Sequence, residues 1–281
     1  MLISRRSIII GAVILVATFA AYTIFAGLKL ENLSNLASMT CDYAAAGILF
    51  FASKNTDRHQ NRQIYFFLFA LACLAWAIAD TGWALLSFSG VDPGASVAVS
   101  VCYVLTNCLL LTSVILFLFR QLIKWNIAQL IIDLVFNSFL FCLLIWLIFF
   151  EKDIIKLASF FMVDPVSGIS ILTDIFIIIS VYSWLLSVRS GKNPIFLIII
   201  SVGLLLFSFI DLIYYYMAFN GLYYSNQLSD LLYALSLSII AFGALWKIHM
   251  DKPEHDYRDL VNSGKHIKWF YILVYPIFTI G

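Results

Sequence analysis

Eight apolar runs, each about as long as a bilayer is thick once coiled into a helix, leave this chain little choice of architecture. About twenty residues at a rise of 1.5 Å cross the ~30 Å hydrocarbon core. A helix also satisfies its backbone N–H and C=O groups from within, which lipid cannot do. The runs cover roughly 7–27, 36–53, 64–87, 96–119, 128–150, 168–188, 194–218 and 228–247. The 281 residues are 63% hydrophobic and 12% charged, whereas soluble domains are about half apolar and a quarter charged. The fold class is therefore an all-α polytopic membrane bundle. Arg5 and Arg6 ahead of an apolar run resemble a signal peptide, but the run is about twenty residues long and lacks a clear small-x-small cleavage site, so it reads as a retained first span. A ninth apolar run begins at Trp269 and reaches Gly281 after thirteen residues, too few to span. The chain is expected to be a fragment of a longer protein.

Basic residues orient the bundle. With the N-terminus in the cytoplasm, Arg5, Arg6, Lys54, Arg58, Arg62, Arg120, Lys124, Arg189, Lys192, Lys247, Lys252, Arg258, Lys265 and Lys268 fall inside, and only Lys29, Lys152 and Lys156 fall outside. The positive-inside rule therefore predicts a cytoplasmic N-terminus. The longest polar stretch, KIHMDKPEHDYRDLVNSGKHIK (247–268), reads as a cytoplasmic linker. A net charge of +1 gives no footprint for a nucleic-acid partner.

Polar residues inside the apolar runs recur. AWAIADTGWALLSFSG (75–90) puts Asp80 three residues before Trp83 and ten before Gly90; FSFIDLIYYYMAFNG (207–221) puts Asp211 three before Tyr214 and ten before Gly221. At the same offset of about 131 residues Asp42 matches Asp174, Tyr103 matches Tyr233, and the basic loop SKNTDRHQNR matches SVRSGKN. The chain thus divides into a first four-helix repeat (1–126), a second (127–247), the linker (248–268) and the start of a ninth span (269–281). A four-helix unit has an even number of crossings, so both copies share one topology and are related by an axis near the membrane normal.

Span order fixes depth. The second and sixth spans start outside, so Asp42 and Asp174 lie one or two turns below the outer surface; the third and seventh end there, which brings Asp80 and Asp211 to similar depth, and Asp230 opens the eighth. Residues three and four apart share a helix face, so Asp80 gathers Trp76 and Trp83, Asp211 gathers Tyr214 and Tyr215, and Asp230 gathers Tyr233. Carboxylates in a membrane are costly and mark sites. The candidate ligand-binding set is Asp42, Asp80, Trp83, Tyr103, Asp174, Asp211, Tyr214, Tyr215, Asp230 and Tyr233, lining a cup open to the outside. Three roles compete for these acids: pinning the bundle through interhelical hydrogen bonds, sensing a proton, cation or polar ligand, and coupling transport. Asp133, with Asn137 one turn on, sits near the cytoplasmic end of the fifth span and reads as a snorkelling or helix–helix contact.

Nothing points to catalysis. No HExxH, CxxC, nucleophile–base pair or phosphate-cradling glycine loop occurs. The five cysteines, Cys41, Cys73, Cys102, Cys108 and Cys142, lack metal-ligand spacing and read as small buried hydrophobes. No metal, cofactor or enzymatic activity is expected of these residues.

FIDLIYYYMAFNGLYYSNQLSDLLYALSLSIIAFGALW resembles a stretch of the membrane-bound sensory regions of bacterial GGDEF signalling proteins, the diguanylate cyclases. The likeness rests on Asp211 with Tyr214, Gly221 with Tyr223, and Asp230 with Tyr233, and covers roughly residues 36–250. The first copy, WAIADTGWALLSFSGVDPGASVAVSVCYVL, is similar to the same family's earlier element through Asp80, Trp83, Gly90, Pro93 and Tyr103, and departs at Val99 and Ser100, where an acid is usual. The resemblance implies a sensory or anchoring module controlling a cytoplasmic cyclic-di-GMP output domain that lies outside this chain. Its expected partners are the bilayer, a small extracytoplasmic or lipid-derived ligand, and a second copy in a homodimer. The rival expectation is a small-solute or ion transporter built from parallel repeats.

Overall fold

The computed structural model describes residues 5–56, 62–91, 93–121, 165–187, 194–223 and 227–250, with positions 135 and 139. They form seven long helices: α1 (Arg5–Gly27), α2 (Glu31–Asn55), α3 (Arg62–Phe88), α4 (Val97–Gln121), α5 (Pro165–Ser187), α6 (Pro194–Phe219) and α7 (Leu228–Met250). A single 3₁₀ turn, Pro93–Ala95, leads into α4. All seven helices are long and apolar enough to cross a membrane, and the described residues contain no strand. The chain is a multi-pass membrane protein by this measure. The predicted fifth span, Asp133, Asn137, Cys142, the linker 248–268 and the segment 269–281 lie outside the described residues.

Six helices close into a ring. α2 packs on α3, α3 on α4, α4 on α5, α5 on α6, α6 on α7, and α7 returns to α2. α1 lies outside, across the seam between α2 and α7. It buries little, and Ile9, Ile10, Val13 and Val16 face outward. The ring interior is apolar: Leu49, Phe69, Leu110, Leu204, Phe207, Leu237 and Ala241 belong to one continuous core.

Local chemistry ends the helices where the sequence says they should end. Gly90 and Gly221 adopt φ of +70° and +65°, the left-handed conformation that terminates a helix at little cost only for glycine. After α3, Val91 N–H returns to Leu86 O at 3.0 Å; after α6, Leu222 N–H returns to Met217 O at 2.8 Å. The helix starts differ from expectation. α2 begins at Glu31 and α5 at Pro165, several residues before the apolar runs, because polar residues next to a membrane remain helical outside the hydrocarbon. Asp42 and Asp174 consequently sit about three and two and a half turns into their helices at 3.6 residues per turn.

Helices α6 and α7 approach closely. A Cβ on Gly203 would stand 2.9 Å from the Ser236 carbonyl oxygen and 2.7 Å from Ile240 Cγ1. One on Gly243 would stand 2.6 Å from Ile200 Cγ1. Small residues at such crossings let backbones meet, since lipid supplies no hydrophobic drive between helices. Gly203→Ala is expected to cost about 1–3 kcal/mol, because the obstacle is backbone. Gly243→Ala is expected to cost less, because an isoleucine side chain can turn aside. Unfolding midpoints in detergent check the ranking; equal midpoints for Gly203→Ala and the parent would refute it.

Candidate functional site: a carboxyl- and aromatic-lined recess

The polar side chains gather at the end of the bundle where α1, α3 and α6 finish and α2, α4, α5 and α7 begin. A cavity of about 240 Å³ opens there. Asp80, Trp83, Tyr103, Asp211, Tyr214, Tyr215, Asp230 and Tyr233 line it. Asp42 and Asp174 do not; they pack against Asp80 and Asp211 one layer further in. Each of these pairs joins neighbouring helices, α2 to α3 and α5 to α6.

In both pairs the outer aspartate is held by a tyrosine from the following helix. Tyr103 Oη donates to Asp80 Oδ1 at 2.9 Å, and Tyr233 Oη donates to Asp211 Oδ1 at 2.6 Å. The second donor differs. Ser38 Oγ, one turn before Asp42 on α2, donates to Asp80 Oδ2 at 3.1 Å. Asn107 Nδ2, on α4, donates to Asp211 Oδ2 at 2.8 Å and more weakly to Asp174 Oδ2 at 3.4 Å. Asn107 thereby ties the first half of the chain to the acids of the second. Both Asp42 oxygens are buried without a donor.

Aromatic rings form the walls. Trp76 sits between the halves, with ring centroids 4.6 Å from Tyr103, 4.7 Å from Tyr233 and 5.1 Å from Phe207. At the rim Tyr223 meets Tyr214 at 4.8 Å and Trp83 at 6.4 Å, and Tyr214 meets Tyr215 at 5.3 Å. Offset and edge-on contacts of this kind are the favoured aromatic geometries.

Asp230 departs from its predicted partnership. Tyr233 lies three residues on and shares its face, but its hydroxyl crosses to Asp211. Asp230 instead accepts from Tyr223 Oη at 3.2 Å, from Ser229 Oγ at 3.3 Å and from the backbone N–H of Gln227 at 3.2 Å. That last bond reaches back over the first turn of α7, as the acid of a capping box does. Burial and the neighbouring carboxylate push the Tyr223 phenol up, so it remains a donor. Ser38 and Asn107 escaped the sequence reading. Asn107 carried a signal, a lone amide inside an apolar run; Ser38 carried none, since serine is common in spans. Among the described residues no cluster of His, Cys, Asp and Glu is arranged to hold a metal ion, and Cys41, Cys73, Cys102 and Cys108 are free thiols.

No protein-family profile, curated protein or solved structure matches this chain.

Proposed function

We propose that this bundle is the membrane-embedded sensory and anchoring module of a bacterial signal-transduction protein, set in the inner membrane with a cytoplasmic N-terminus and controlling a cyclic-di-GMP output domain carried elsewhere in the full-length protein. The observation that carries the reading is the recess itself, to which all seven described helices contribute. Its assignment to the extracytoplasmic side rests on the distribution of Lys and Arg. Its confinement to one end of the bundle favours a receptor over a transporter, whose site lies near the midplane.

The duplicated architecture belongs to the same proposal. Exchanging α2 with α5, α3 with α6 and α4 with α7 maps the ring of neighbours onto itself. The same exchange maps the Tyr103–Asp80 bond onto Tyr233–Asp211, and the Gly90 turn onto Gly221. A ligand in the recess touches both halves and shifts their packing to the extent that it binds one arrangement better than another. α7 then passes the shift towards the linker that follows it.

The test uses the full-length protein expressed from its own reading frame. Asp80→Asn is expected to change cellular cyclic-di-GMP by about fivefold or more at unchanged membrane abundance. An unchanged level at unchanged abundance overturns the sensory reading.

A further inference from the structure

We infer that the recess takes a small organic ammonium group, with Asp80 as its counter-ion. The inference deepens the sensory reading and rests on it for its biological role, but not for its chemistry. Among the described residues that line the cavity there are three carboxyl side chains and no Lys, Arg or His. Two more buried carboxyls, Asp42 and Asp174, stand directly behind. A carboxyl facing a low-dielectric recess keeps its proton unless a counter-charge is supplied, and a cationic ligand supplies one. The walls specify what kind. Tryptophan and tyrosine faces attract organic ammonium ions through their quadrupoles, and cages of such rings are a general solution for amines. A bare metal ion would instead need several convergent oxygens.

The three acids are not equivalent. Asp230 is consumed at the start of α7 by Gln227, Ser229 and Tyr223. Asp211 is buried and held by two short bonds, from Tyr233 and Asn107. Asp80 is only half-buried, and its inner neighbour Asp42 has no donor on either oxygen. Asp80 is therefore the acid that the cavity reaches and whose donors are hydroxyls, from Tyr103 and Ser38. Trp83, one turn beyond Asp80 on the same face, offers the adjacent ring. A phospholipid headgroup shares the ammonium chemistry but brings a phosphate, which would meet three carboxyls and no Lys, Arg or His; a free amine fits better than a phosphate-bearing one.

The experiment measures equilibrium binding of radiolabelled choline and of radiolabelled phenethylammonium to the whole chain in phosphatidylglycerol nanodiscs at physiological salt. At least one probe is expected to bind saturably and to resist competition by 3,3-dimethyl-1-butanol, the neutral isostere of choline, and by phosphocholine. Asp80→Asn is expected to weaken binding about tenfold or more, and Asp211→Asn clearly less. Should Asp80→Asn not yield folded protein, Trp83→Leu decides, with an expected loss of about three- to tenfold. Absence of saturable binding by both probes, equal competition by the neutral alcohol, displacement by phosphocholine as good as by choline, or unchanged affinity in the deciding variant each overturns the inference. A failure here with a cyclic-di-GMP response to Asp80→Asn intact removes the amine and leaves the sensor. Binding without that response does the reverse.

Discussion

Trp76→Ala is expected to destabilise the bundle by about 3–5 kcal/mol, the range for deleting a buried large aromatic. Trp76 is 7% exposed and belongs to α3, yet its ring meets Tyr103 of α4, Phe207 of α6 and Tyr233 of α7. Two of those rings also carry the hydroxyls that hold Asp80 and Asp211. Truncation opens a void beside Tyr103, Phe207 and Tyr233 and removes a packing partner of both donors at once, so transfer and cavity terms add. Trp76→Phe is expected to recover more than half of the loss, because a phenyl ring keeps much of the buried area and can still meet its aromatic neighbours edge-on. Unfolding by SDS titration in mixed micelles reads both variants. A cost for Trp76→Ala below about 1 kcal/mol would show that the rings do not join the halves.

Asn107→Leu is the second large effect, expected at about 2–5 kcal/mol, which is the penalty for leaving two buried acceptors without a donor. A typical interhelical hydrogen bond in a membrane contributes only about 0.6 kcal/mol, and that average would describe Asn107 if it served one exposed partner. It serves Asp211 and Asp174, which are 5% and 0% exposed, so the desolvation term decides. The sign is checked by compensation. Adding Asp174→Leu to Asn107→Leu removes one stranded acceptor and is expected to restore part of the stability, since apolar replacement of both partners approaches neutrality. A double variant no better than the single one would mean that the amide contributes by packing and not by donation.

Membrane proteins expose an unusual share of their architecture in the sequence, and this chain shows where that share ends. The helices were legible because each must be long and apolar: α3 (Arg62–Phe88) and α6 (Pro194–Phe219) coincide with their predicted runs to within a few residues. The gathering of acids and aromatics at one end was legible too, because alternating spans turn chain position into depth. Rotation of one helix against another was not. Which donor reaches Asp211 depends on how α4, α6 and α7 are turned, and a shared face on α7 pointed Tyr233 to Asp230 when its hydroxyl crosses to α6. The neighbour order of the ring was equally hidden, since no loop composition says that α7 returns to α2. Helix starts precede the run starts because hydropathy marks the edge of the hydrocarbon, whereas Glu31 and Pro165 mark the edge of the hydrogen-bonded coil.

The outlying position of α1 has its consequence during biogenesis. A translocating machine judges segments largely one by one, and an aspartate at the middle of a segment raises the cost of insertion by about 2.5–3.5 kcal/mol. α2 carries Asp42 near its midpoint and is the least apolar of the seven candidate spans, while α1 is among the most apolar. A first span that inserts readily is expected to hold the less apolar α2 beside it as a hairpin until later helices enclose the acid, a task that asks for contact with α2 and not for a place in the interior.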